Sequence, residues 1–244
     1  MTAPMQSYSK FFRFYDRVMD DRSDAADYIR DLIEHYHPRA KTLLEIACGT
    51  GGLLGRFSET YEVTGLDRSR PMLAIARKRL PHISLIRQDM SNFRIHRRFD
   101  VVVCAFDSIN HLHRFSDWKK TFRCVAAHLN AGGVFVFDVN TIGKLQRLVI
   151  SPPWVKQFGR DLVVIKVNGG RPGVFAWDVK IFEHQKRDDY KLVGETIEET
   201  AYPMQRILTS LRGYFRQVKA FDPEGARVSD RSERLYFVCK VGPD

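Results

Sequence analysis

Several things are scarce or missing in this chain, and each absence narrows what the protein can be. Its 244 residues include four cysteines, at 48, 104, 124 and 239, and no C-x-x-C pair. Thiols scattered in this way imply neither a zinc-binding set nor a disulfide framework. No apolar run approaches the roughly 20 residues that a membrane-spanning helix needs. The opening segment, MTAPMQSYSKFF, has no long apolar core of the kind a secretion leader carries. A G-x-x-x-x-G-K-[ST] phosphate loop is missing as well. The dinucleotide fingerprint G-x-G-x-x-G fails at its third glycine, where Leu54 stands. No internal repeat or low-complexity segment is found. These exclusions leave a cytoplasmic globular chain long enough to bury a substantial core, and 44% hydrophobic residues argue against disorder.

Acidic groups are also in short supply, which gives a net charge of +10. The imbalance concentrates at residues 61–150, where 15 basic residues face 7 acidic ones. Arg68, Arg70, Arg77, Lys78 and Arg79 form one group, and Arg94, Arg97 and Arg98 another. Such a footprint fits nucleic acid, an anionic substrate or a solvated helix face. No RNA-binding module is present, and no aromatic residues are interleaved with the charges. Nucleic acid is therefore a possible partner but not the favoured one, and no membrane partner is expected.

What is present starts with Leu43-Leu44-Glu45-Ile46-Ala47-Cys48-Gly49-Thr50-Gly51-Gly52. A short apolar run closed by glycine predicts a parallel strand covered on both faces, with a tight turn and a helix behind it. Glycine at 49 and 51 lets the chain bend and lets a ligand approach the backbone. About twenty residues later, Tyr61–Asp67 reads as a second strand ending in a carboxylate, placed to accept hydrogen bonds from ribose hydroxyls. Arg68-Ser69-Arg70-Pro71-Met72-Leu73 then opens a helix. Ile83–Arg87 and Phe99–Phe106 read as strands three and four, with Gln88-Asp89-Met90 between them, and Ala131–Asp138 as a turn and strand five.

Glu45-Ile46-Ala47-Cys48-Gly49-Thr50-Gly51 resembles motif I, [ED]-x-[GA]-x-G-x-G, of class I S-adenosylmethionine-dependent methyltransferases. Asp67-Arg68-Ser69-Arg70-Pro71-Met72-Leu73 is similar to that family's D-x-S-x-x-M-L. Five motifs follow one another in family order between about residues 43 and 140. The resemblance implies a Rossmann-like, seven-stranded, doubly wound α/β sheet. It also implies S-adenosyl-L-methionine as cofactor, with S-adenosyl-L-homocysteine as product. The cofactor contacts it implies are Glu45, Ala47, Cys48, Gly49, Thr50, Gly51, Asp67, Arg68, Met72, Gln88, Asp89, Met90, Phe106 and His111, with Tyr8 from the N-terminus. In this reading Asp89 accepts from the adenine amino group and Met90 flanks the ring, with a plain loop-end cap as the less favoured account of Asp89.

The chain divides on paper into three parts. Residues 1–150 hold N-terminal helices near 7–20 and 24–37 and the cofactor-binding core, with a helix at Asp117–Leu129. Residues 151–202 read as an antiparallel insertion of three strands, Leu162–Val167, Val174–His184 and Tyr190–Tyr202. In the middle strand Phe175, Trp177, Val179 and Ile181 share one apolar face, expected to lie over the mouth of the active site as a lid. Residues 203–244 return to the core with a helix near Met204–Leu211 and strands Tyr214–Phe221 and Arg234–Val241.

Catalytic groups should stand where strand four ends, in Phe106-Asp107-Ser108-Ile109-Asn110-His111-Leu112-His113. This stretch resembles the S-S-I-G-H-L segment of amino-sugar N,N-dimethyltransferases. By that likeness His111 matches an active-site His, and Ser7-Tyr8-Ser9 matches a segment whose Tyr lies near the cofactor, with Tyr15-Asp16 following. Asp107 and Asn110 depart from the Ser and Gly found there. His111 is thus expected to be a general base or to orient the substrate, although a capping or supporting role would also explain it. Tyr8 would close over the cofactor's methionine end. For His111-x-His113 and His35-x-His37 no carboxylate or cysteine is expected to complete a ligand set, so no metal is expected. The leading reading is a methyltransferase acting on N or O of a small molecule, as a monomer or homodimer. An RNA or ribonucleoprotein methyltransferase and a non-catalytic cofactor-binding interaction protein are the alternatives.

Overall fold

The computed structural model describes residues 12–19 and 23–243. In chain order the elements begin with α1 (Phe12–Met19), α2 (Ser23–Tyr36), β1 (Thr42–Ile46), α3 (Gly52–Phe57), β2 (Glu62–Asp67) and α4 (Arg70–Arg79). Then come β3 (Ser84–Arg87), β4 (Phe99–Cys104), α5 (Phe115–His128), β5 (Leu129–Asn140) and α6 (Ile142–Ile150). A second group, β6 (Trp154–Phe158), β7 (Asp161–Gly169), β8 (Val174–His184) and β9 (Tyr190–Thr200), precedes α7 (Met204–Leu211), β10 (Gln217–Phe221) and β11 (Arg234–Lys240).

Seven strands form one sheet in the order β3-β2-β1-β4-β5-β11-β10. The pairings from β3 to β5 are parallel, while β11 runs antiparallel to β5 and to β10. Strand periodicity explains the two cores. Leu44, Val102, Phe135 and Phe137 point to the face covered by α5 and α7, and Leu43, Val101, Val103, Val134 and Val136 to the face covered by α2 and α3. Every strand residue named here is almost fully buried, as the uninterrupted apolar runs predicted. On the α5 side Phe137 stacks between Phe135 and Phe237, at centroid distances of 4.8 and 4.9 Å.

The second sheet, β6-β7-β8-β9, is antiparallel throughout and has four strands where the sequence suggested three. The additional strand, β6, is an edge strand exposed along almost its whole length, so it carries no burial alternation to read. Helix α6 was not anticipated either. It buries one residue, Leu145, and its signal is the Thr141 cap, whose hydroxyl accepts from the Lys144 amide. The apolar face of β8 does not lie over an open mouth. Val179 and Ile181 pack against Phe14 of α1, and Phe175 against Leu145 of α6. The second sheet meets the rest of the chain where β7 packs on α6 and where the edge strand β9 meets the 3-10 turn Ser108–His111.

Gly143 shows how closely α6 approaches the segment that precedes β11. Its amide donates to the Asp230 carbonyl, and a Cβ there would sit 2.5 Å from that oxygen and 2.9 Å from the Arg231 Cα. Neither backbone atom can swing aside. Gly143→Ala should therefore destabilise the fold by about 1–3 kcal/mol despite alanine's better helix propensity, read as a lower midpoint in urea unfolding.

Candidate active site

The turn after β1 is left-handed three times over. Ala47 (φ 57), Gly49 (φ 55) and Gly51 (φ 76) all take positive φ. At Gly51 a side chain would also collide with Leu80, whose Cδ1 lies 2.8 Å from a Cβ placed there. At Gly49, by contrast, a Cβ would meet nothing within 4 Å, because that glycine borders open space. Asp67 at the end of β2 holds the turn. Its Oδ2 accepts from the Gly49 amide at 2.8 Å and its Oδ1 from the Ser69 amide at 2.7 Å. Burial pushes the Asp67 carboxyl upward, and these backbone donors work against that shift. Ser69 in turn caps α4 by accepting from the Met72 amide.

The space beside this turn is a cleft lined by Ala47, Gly49, Asp67, Arg68, Met72, Gln88, Asp89, Met90, Phe106 and His111, all expected from the sequence. Tyr15, Leu66, Ser69, Ser108 and Leu112 complete the lining and were not foreseen there. Tyr15, Ser69, Ser108 and Leu112 belong to the motif segments themselves, and Leu66 directly precedes Asp67, so a signal for each was present in the sequence. Glu45, Cys48, Thr50 and Gly51 do not reach the cleft wall. Thr50 is instead a tether: its hydroxyl donates to Asp16 at 2.6 Å, and Arg79 donates to the same carboxylate at 2.7 Å. That pair of contacts docks α1, and with it Tyr15, on the turn. Burial raises the Cys48 thiol well above its usual value, so it acts as a small core residue. Tyr8 lies outside the described residues.

Gln88 braces the loop it belongs to, exchanging hydrogen bonds with the Arg94 backbone at 2.8 and 3.1 Å. Asp89 Oδ1 accepts from both the amide and the hydroxyl of Ser91, at 2.8 and 2.7 Å, so it does cap its loop. Its Oδ2 faces Arg68 at 3.9 Å.

At the other side of the cleft, β4 ends in two consecutive left-handed residues, Phe106 (φ 55) and Asp107 (φ 50). Each such non-glycine residue costs on the order of 1–3 kcal/mol and persists only where its surroundings enforce it. Here they do. The Asp107 amide donates to Asp138 Oδ2 at 2.9 Å, and Arg234 bridges Asp107 Oδ1, at 2.6 Å, and Asp138. Burial works to raise the Asp107 carboxyl, but Arg234 and Lys144 hold it below the usual carboxylate range. His111, four residues after Asp107 and the last residue of the 3-10 turn, is partly buried, and its Nδ1 lies 3.3 Å from the Glu198 carbonyl oxygen on β9. A proton on Nδ1 satisfies that carbonyl and leaves Nε2 as the basic atom. Burial lowers the His111 pKa, partly countered by Asp107, so the ring is neutral at pH 7. Contrary to the expectation that no carboxylate would complete a set with His111, the fold brings two to it. Asp107 and Glu199 each bring an oxygen within 4.8 Å of a ring nitrogen.

Residues 43–133 match the family model described as a methyltransferase domain. The chain is 38% identical to a dTDP-3-amino-3,4,6-trideoxy-alpha-D-glucopyranose N,N-dimethyltransferase of Streptomyces venezuelae over 51% of this chain and 53% of that one, about half the relative's length. It is 27% identical to the putative methyltransferase YqeM of Bacillus subtilis (strain 168), over 94% of this chain and 95% of the relative. Among solved structures, an S-adenosylmethionine-dependent methyltransferase from Clostridium acetobutylicum ATCC 824 superposes with a TM-score of 0.82 at 27% identity, covering 97% of this chain and all of the other.

Asn110 fastens the second sheet to this site. Fully buried, it donates to the Thr200 and Asn140 carbonyls at 2.9 and 3.1 Å and accepts from the Asn140 amide at 3.3 Å. Asn110→Gly should cost about 2–4 kcal/mol, since it strands three buried backbone groups, and should expose β9 to hydrogen exchange before the main sheet unfolds.

Proposed function

We propose that this chain, a class I S-adenosylmethionine-dependent methyltransferase by its fold and by the methyltransferase domain at residues 43–133, moves a methyl group from S-adenosyl-L-methionine to nitrogen or oxygen of a small-molecule acceptor. Amino sugars are the first acceptors to test, because named relatives act on them. The observation that carries the reading is the cleft itself. It brings the open backbone of Gly49 and the carboxylate of Asp67 onto one wall, with His111 facing them across the same space.

The lining fits the cofactor. Asp67 uses one lone pair of each oxygen on a backbone amide, which leaves further acceptor sites for ribose hydroxyls. Leu66, Met72 and Met90 supply apolar surface for a planar base, and Asp89 supplies a carboxylate at its edge. Gly49 leaves room for close backbone approach. Bound there, the sulfonium supplies a methyl group that is already reactive. The chain's own task is then alignment and exclusion of water. Tyr15, Phe106 and Leu112 present apolar surface for that purpose, and β9 braces His111 from behind through the Glu198 carbonyl. His111, neutral and with Nε2 basic, takes a proton from the acceptor where the acceptor must lose one.

A nucleic-acid acceptor finds less support. Several of the basic residues that suggested it are engaged within the fold: Arg79 with Asp16, Arg97 with Glu62 and Arg68 with Asp89. Among the described residues, no helix is long and apolar enough to cross a membrane, and the four cysteines are free thiols, which suits the cytoplasm.

Calorimetric titration with S-adenosylmethionine and S-adenosylhomocysteine tests the cofactor. Both should bind the wild type, and Asp67→Ala should weaken them by at least about tenfold, as expected for a lost charge-assisted pair. No binding to the wild type would remove the proposal. With an acceptor in hand, His111→Asn should lower kcat by about 10²–10⁴-fold at nearly unchanged cofactor affinity. The acid limb of the wild-type kcat profile should fall below the ordinary His value of 6.5, because burial depresses the base that protonation disables.

A further inference from the structure

We infer that Glu199, delivered by β9 of the second sheet, is a positioning residue for His111: its protonated carboxyl holds the Asp107 carboxylate in place beside the imidazole. The inference rests on the proposed role of His111 and adds a partner that no motif contains. Glu199 is almost completely buried, its Oε2 accepts from Asn140 Nδ2 at 3.0 Å, and its carboxyl, the Asp107 carboxylate and the His111 ring offer atoms that all lie within 4.8 Å of one another. Two buried carboxyl groups this close avoid charge repulsion when one of them keeps its proton, which it can then donate to the other.

The surrounding charges decide which one does. From the turn after β4 come Asp107 and His111, from β5 Asp138 and Asn140, from α6 Lys144, and from β11 Arg234. Arg234 bonds Asp107 and Asp138 directly, whereas Lys144 reaches Asn140 Oδ1 at 2.8 Å rather than Glu199. The neighbouring Glu198 carboxylate faces away, toward His113 at 3.4 Å. Asp107 and Asp138 thus balance Arg234 and Lys144, and an ionised Glu199 would add an unmatched buried charge. Glu199 keeps the proton, and burial followed by the Asp107 charge pushes its carboxyl well above the ordinary value. The same three side chains could count as a metal set. The two adjacent cations and the shared proton oppose a divalent ion there.

The consequence is a division of labour across the two sheets. The main sheet supplies the base, and the second sheet supplies the group that keeps the base's counter-charge in register. When His111 takes a proton, the carboxylate that stabilises the imidazolium is already in position.

The test needs neither cofactor nor acceptor. Full-length protein labelled in its histidines is titrated by NMR, with the His111 signal assigned through His111→Asn. The wild type should show the His111 transition plus a smaller inflection on the same ring as Glu199 ionises. Glu199→Gln, which keeps a hydrogen-bond donor, should leave the main transition within about 0.3 unit and abolish the smaller one. Glu199→Ala should move the main transition down by about 0.5 unit or more, and Asp107→Asn further still, as the counter-charge is loosened and then removed. If Glu199→Ala does not fold, Glu199→Gln alone carries the test. Persistence of the smaller inflection in Glu199→Gln would overturn the inference. So would a Gln variant that shifts the main transition as far as Ala does, or micromolar binding of zinc chloride that Glu199→Gln abolishes. Any of these results leaves the calorimetric test of cofactor binding untouched, so the two readings fail separately.

Discussion

Arg234 joins the ends of three strands through one guanidinium. From β11 it reaches Asp138 on β5 and Asp107 just beyond β4, in a setting where all three side chains are shielded from solvent. Removing one member of such a buried set strands the others and costs about 3–5 kcal/mol. Two left-handed residues, the 3-10 turn that carries His111 and the docking of β9 all sit on this bridge. The fixed planar fork of arginine suits the task, because it meets two carboxylates at set angles where a lysine would supply a single point charge.

The opposite wall follows a different logic. There the backbone does most of the work, and Asp67 is the one carboxylate that ties the glycine turn to the start of α4. Its geometry is set before any ligand arrives, which is what a binding site gains from preorganisation. Helix α1 joins this wall to the second sheet. Asp16 fastens it to Thr50 and Arg79, and Phe14 packs against Val163, Val179 and Ile197. The cleft is therefore enclosed by three parts of the chain that are far apart in sequence.

The sequence carried much of this site in local form. Gly49, Gly51, Asp67 and the Gln88-Asp89-Met90 segment were legible because each sits at a strand end, where a short apolar run stops and a particular residue type is required. His111 was legible as part of the loop after β4. Thr50 shows how local reading goes astray: it belongs to the motif, yet its hydroxyl is engaged by Asp16 from another helix. The fourth strand of the second sheet was missed because β6 is solvent-exposed and lacks alternation, and α6 because only Leu145 on it is buried.

The sequence by itself determined the order of strands and helices in the main sheet and the wall of the cleft built from its turns. Those features depend on hydrophobic period and on backbone conformations that few residues adopt, and both are encoded within a dozen positions. The tertiary structure alone decided what stands behind His111. Glu199 and Arg234 meet Asp107 only once the second sheet has docked and β11 has inserted beside β5. Nothing in the local pattern around a glutamate or an arginine says which buried charge it will face. That pairing is fixed by the need to neutralise charge in a low-dielectric interior, a condition that applies only after folding has excluded water.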